Sequence, residues 1–116
     1  MEHATDLELV RQKLAAHRAT LLQNIADEQE RLGRARTANP DRADLADAYI
    51  SRERRSAFLA RNEEHLELVE AAIKRLEEGQ YGLCTRCGEP IQAERLEVLP
   101  EAPLCMECQR KAETPR

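Results

Sequence analysis

The 116-residue chain has no tryptophan, one phenylalanine, two tyrosines, four glycines and five prolines. A sequence so poor in aromatics and helix breakers, and so rich in Ala, Leu, Glu, Arg and Gln, is written for long helices rather than sheets. It lacks any run of about 18 apolar residues, which excludes a membrane-crossing helix. The N-terminal stretch Met1-Glu2-His3-Ala4-Thr5-Asp6 lacks the basic-then-apolar order of a secretory signal, so the expected location is cytoplasmic. Basic excess is missing too. A formal net charge of -4 argues against nucleic acid as the partner, because affinity for phosphate backbones comes from surplus Lys and Arg. No nucleophile paired with a general base, no phosphate loop and no paired buried carboxylates can be found, so no catalytic residues are expected and the chain reads as non-enzymatic.

What is present is helical periodicity. From Asp6 to about Arg36, Leu7, Val10, Leu14, Leu21, Ile25 and Leu32 recur at three, four or multiples of these, the stripe of one long helix. The segment Thr37-Ala38-Asn39-Pro40 has turn chemistry, with Asn39 able to cap and Pro40 suited to a first helical position. A second helix is predicted from Asp41 to Glu78, on the order of 55 Å long at 1.5 Å per residue. Its latter half carries Leu59, Asn62, Leu66, Val69, Ile73 and Leu76 in three-four alternation, a coiled-coil seam in which Asn62 can fix register. The same register meets Ala48, Arg52 and Arg55 toward the turn, so the tip half is expected to be weakly cored. A connection this short makes the helices antiparallel, and Gly79 stands where a left-handed cap would end the second. His17 and His65 lie in or beside the seams and are read as packed or half-exposed helix residues rather than ligands.

Beyond Gly79 the composition changes. Cys84-x2-Cys87, then seventeen residues, then Cys105-x2-Cys108 gives four thiolates at the spacing of a tetrahedral zinc site. Protein fills every coordination position, so one structural Zn2+ is expected, with no room for an activated water. Disulfides, an iron-sulfur cluster and a redox-labile thiol switch built on the same zinc are the alternatives that spacing alone leaves open. Helix resumes near Cys105 to Ala112. The fold class is therefore mostly α: a long antiparallel two-helix coiled-coil hairpin over residues 1–79, with its tip at about 37–47, joined to a small four-cysteine zinc finger with a short C-terminal helix over residues 80–116.

The run Tyr81-Gly82-Leu83-Cys84-Thr85-Arg86-Cys87-Gly88-Glu89-Pro90-Ile91, continuing through Arg95-Leu96-Glu97 to Pro100 and Leu104-Cys105-Met106-Glu107-Cys108, resembles the zinc finger of the DksA/TraR family. The upstream hairpin resembles its coiled coil, and Asp41-x-x-Asp44-x-Ala46 fits the family's Asp-x-x-Asp-x-Ala tip motif; together these cover about residues 39–112. The resemblance implies a monomeric transcription regulator that binds bacterial RNA polymerase and inserts the coiled coil into its secondary channel, without contacting DNA. It implies that Asp41, Asp44 and Ala46 act near the polymerase active centre, and that Arg61 and Arg95 grip the channel rim and neighbouring surfaces.

There are departures. Where DksA proper carries basic residues that help bind the stringent-response alarmone guanosine tetraphosphate, this sequence aligns Leu68, Leu99 and Gln109, none able to pair with a phosphate. An alarmone-independent or weakly responsive member is the expectation. The rival functions are a thiol-based redox or stress sensor and a nucleic-acid-binding zinc module; net acidity disfavours the second.

Overall fold

The computed structural model describes residues 3–37 and 45–114. Among the described residues four helices follow in order: α1 (His3–Thr37), α2 (Leu45–Glu77), α3 (Ala93–Val98) and α4 (Met106–Glu113). The architecture is the expected helical hairpin and four-cysteine finger, mostly α, with one isolated antiparallel bridge between Leu83 and Pro90 among the described residues. No helix there is long and apolar enough to cross a membrane. The start anticipated for the second helix, Asp41 to Asp44, lies outside the described residues; Ala46 stands in the first turn of α2.

The chain divides into two compact units, one of Met1–Arg18 with Glu67–Arg116 and one of Ala19–Leu66. In the first, Leu14 and Val69 are fully buried side chains, joined by Ala72 and Leu76. Arg18 Nε donates to Glu70 Oε2 at 3.0 Å, tying α1 to α2. α2 ends at a Schellman cap: Gly79, at φ 75°, lets its own N–H reach Leu76 O at 3.3 Å while Gln80 N–H reaches Arg75 O at 2.7 Å. An L-residue there would be strained, so glycine is what allows the chain to leave the helix and enter the finger.

The second unit has a different interior. Leu21, Ile25, Glu28 and Leu32 are its buried residues on α1, while on α2 Asn62 is buried and Leu66, Leu59 and Arg55 are half-buried. Read in opposite directions, both stripes step by four, three and four residues. Antiparallel register therefore pairs position 21 with 66, 25 with 62, 28 with 59 and 32 with 55. Three of these four layers hold one polar member. Glu28, only 5% exposed, receives a 2.9 Å hydrogen bond from Arg31 Nη1, and Asn62 Nδ2 donates to Phe58 O at 2.8 Å. Glu28 and Asn62 are each satisfied within their own helix, so they keep their hydrogen bonds but add no apolar contact across the seam. Toward the tip Leu45, Tyr49, Ile50 and Phe58 are exposed.

The stripe differs from its sequence expectation in two places: Leu7 is 40% exposed, and Ala72 is fully buried beside half-buried Ile73. The buried face of α2 at this turn therefore includes an alanine beside the isoleucine that the three-four count picks out.

Hydrogen exchange should therefore be faster in residues 25–34 and 52–62 than in residues 10–18 and 67–76. Replacing Glu28 and Asn62 together by Leu should slow exchange selectively in the second unit. Each kcal/mol so gained should raise the hairpin's unfolding midpoint by about 4–8 °C. An unchanged midpoint would show that the polar layers do not weaken the seam.

Candidate metal centre

Two tight turns present the cysteines. In the first, Cys84 N–H donates to Glu89 O at 2.8 Å and Gly88 N–H to Cys84 O at 2.9 Å, with Gly88 at φ 80° closing a loop that an L-residue would strain. The thiol of Cys84 then accepts amide hydrogen bonds from Arg86 at 3.4 Å and Cys87 at 3.5 Å. In the second turn Cys105 is the N-cap of α4, and its sulfur accepts from Cys108 N–H at 3.4 Å. A backbone bond from Thr85 N–H to Pro103 O at 2.8 Å joins the two turns.

The four Sγ atoms lie within 4.8 Å of one another, and Cys87 and Cys105 are 3.9 Å apart. Four sulfurs at about 2.3 Å from a tetrahedral zinc stand about 3.8 Å apart, so the set fits the ion. Cys84, Cys105 and Cys108 are buried and Cys87 is exposed. Around them Ile91 is buried, with Leu96 and Leu104 packed against the cluster.

Proton affinities differ sharply within the set. Burial pushes the Cys84 thiol up, but amide hydrogen bonds from Cys105, Cys87 and Arg86 outweigh it and hold the group down at about 6. Burial, followed by hydrogen bonds to the neighbouring thiols, pushes Cys108 up to about 12. The cluster as a whole therefore holds protons that a metal ion must displace. Zinc is that ion, and binding it releases protons.

The other residues singled out from sequence fall elsewhere. Asp41 and Asp44 lie outside the described residues, and Ala46 is exposed. Arg61 is exposed on α2, its guanidinium 5.9 Å from the Phe58 ring centroid. Arg95 is half-buried on α3, where Nε donates to Leu104 O at 3.2 Å and Nη1 to the Met106 sulfur at 3.2 Å. These internal bonds are not visible in the sequence, where an arginine at the end of a polar stretch looks like a surface charge. Leu68, Leu99 and Gln109 do come together: with Arg95, Met106 and Arg110 they line one groove of about 450 Å³ in the first unit.

Residues 79–113 match the prokaryotic dksA/traR C4-type zinc finger. The RNA polymerase-binding transcription factor DksA of Caulobacter vibrioides is 33% identical over 110 residues, covering 92% of this chain and 75% of that protein. Its namesake in Haemophilus influenzae is 36% identical over 78 residues, covering 64% of this chain and 51% of that protein. The solved structure of the transcription factor DksA2 from Pseudomonas aeruginosa superposes with a TM-score of 0.81 at 32% identity, over 94% of this chain and 84% of that one.

Chelation of the zinc should unfold residues 80–112 while most of the far-ultraviolet helical signal survives, because the finger has too small an apolar core to fold unaided. Lowering the pH should release zinc into a chromogenic chelator, since every thiol ligand must lose a proton to bind. Native protection of residues 80–112 after zinc removal would contradict the structural role. With a finger that holds one structural zinc and a hairpin alike over nearly its whole length, this chain belongs to the DksA/TraR family.

Proposed function

We propose that the protein regulates transcription by binding bacterial RNA polymerase and placing its hairpin tip in the secondary channel, without binding DNA. The observation that carries this is the extent of the likeness: it runs through both hairpin and finger, covering 92% of this chain and 75% of a relative named as an RNA polymerase-binding transcription factor. A shared zinc finger alone would support much less, because small zinc modules serve many partners.

In this proposal the tip and the stem divide the work. Asp41 and Asp44 are two carboxylates three residues apart just before α2, and Ala46 is a small exposed residue in its first turn. Carboxylates carried on a slender helical support can reach cationic or metal-bearing groups inside a partner where a globular surface could not enter. Affinity comes from the exposed faces of stem and finger, including Arg61, whose guanidinium stands over Phe58.

The zinc, when bound by Cys84, Cys87, Cys105 and Cys108, supplies rigidity and no reaction. A closed tetrathiolate offers no position for water or substrate.

Alarmone response is proposed to be weak or absent. The groove that gathers Leu68, Leu99 and Gln109 offers leucine side chains where phosphate charges would need cations. Of its two arginines, Arg95 already gives two donors to the finger itself.

Asp44→Asn should leave folding and polymerase binding intact and abolish the effect on a ribosomal promoter in purified transcription. Loss of binding would instead make Asp44 an anchor. In the same assay, guanosine tetraphosphate should change the wild-type effect less than about twofold, and strong stimulation would overturn the alarmone proposal.

A further inference from the structure

Arg95 bonds to both neighbours of one zinc ligand. Nε donates to the carbonyl of Leu104 and Nη1 to the thioether of Met106, each at 3.2 Å, so a single guanidinium spans the tripeptide whose central residue is Cys105. Cys105 has two tasks: it is one of the four clustered thiols and the N-cap of α4, at φ -70° and ψ 168°. Its sulfur also receives the Cys108 amide, so a change in its backbone angles displaces both cysteines of the second turn. α4 has only eight residues and cannot hold that geometry by its own helical stability.

The rest of the arginine is anchored. It lies on α3, its carbonyl accepts from Leu99 N–H at 2.7 Å, and the next residue, Leu96, packs against the cysteine cluster. Consecutive residues of one short helix thus reach the metal centre in two ways, through apolar packing and through a charged fork. The positive charge has an electrostatic consequence as well, because four thiolates outweigh one zinc dication and leave the centre anionic.

We infer that Arg95 is a positioning residue of the zinc centre, a brace across Leu104 and Met106 that holds Cys105 in its ligating conformation. Lysine cannot do this: it has one nitrogen and no planar fork, so it can keep the charge but not span the tripeptide. The brace is independent of any partner. A loss of transcriptional effect on replacing Arg95 would therefore report on the metal centre before it reported on polymerase contact.

The test uses the full-length zinc protein and measures the rate of zinc transfer to a chromogenic chelator for wild type, Arg95→Lys, Arg95→Gln and Arg110→Gln. Arg110 is an exposed arginine lining the same groove, and no side-chain bond to the residues around Cys105 is seen for it. Both Arg95 variants should release zinc about tenfold faster, the lower end for losing an outer partner of a metal site, while Arg110→Gln stays at the wild-type rate. The cobalt(II)-substituted Arg95→Lys protein should show an altered ligand-field spectrum with unchanged far-ultraviolet helicity. An Arg95 variant that purifies with substoichiometric zinc and an intact hairpin also supports the brace. Wild-type release from Arg95→Lys would overturn it, as would equal acceleration by Arg110→Gln, which would reduce the effect to net charge.

Discussion

Residues 80–112 contain four buried side chains that cluster, and three of them are cysteines; Ile91 is the fourth, with Leu96 and Leu104 partly buried beside them. Apolar burial on this scale stabilises by only a few kcal/mol, far less than the conformational entropy of ordering some thirty residues. The thiolate-zinc bonds supply the difference. α3 and α4, at six and eight residues, are each well below the length at which a helix persists in water, so their existence depends on the same four bonds. The local backbone is built around this requirement: amide hydrogen bonds at Cys84 and Cys105 pre-orient the sulfurs, and Gly88 permits the turn between ligand and strand-like bridge.

The hairpin obeys a different economy. Near the finger, α1 and α2 bury Leu14, Val69 and Ala72 with almost no exposure. In the unit Ala19–Leu66 the seam sets Ile25, Leu59 and Leu32 against Asn62, Glu28 and Arg55, so beyond the Leu21–Leu66 layer it lacks the apolar pairs that stabilise a coiled coil. A seam of this kind still defines a pairing, because Glu28 and Asn62 find their hydrogen bonds within their own helices. It gives less resistance to local opening. That difference suits a protein whose proposed effector residues lie just before and at the start of α2, because the seam of Ala19–Leu66 carries less apolar burial than the helices beside the finger.

Much of this was legible in the sequence where a physical rule has a fixed spacing. Cysteine pairs two residues apart, leucines at three and four, and a glycine after a helical run each have one economical structural solution, and the finger, both long helices and the cap at Gly79 follow from them. Features without such a rule were missed. Glu28 was invisible because a three-four count scores apolar residues, whereas its burial is allowed by the Arg31 guanidinium one turn along the same helix. α3 has no side-chain cap and too few residues for a periodic signal, and it exists because Leu96 has a core to join. The tip residues are a separate case. Their carboxylates have an ordinary reading as helix N-terminal charges, and only the family resemblance gives Asp41 and Asp44 a role.

Arginine shows why residue type is a poor guide to function here. Arg61 and Arg95, both implied by the family resemblance to contact polymerase, sit differently: one is exposed over an aromatic ring and the other gives two donors to the backbone and thioether around a zinc ligand. Arg18 and Arg31 meanwhile hold carboxylates of the hairpin, Arg18 across its two helices and Arg31 within α1. A guanidinium can serve folding and binding at once, because its five N–H groups are rarely all used by one partner. For Arg95 the two uses draw on the same side chain: an anionic partner that captured the fork would do so at the expense of the Cys105 turn. The finger is thus not only a rigid base for the hairpin. Its metal centre is mechanically connected, through one arginine, to the groove beside it.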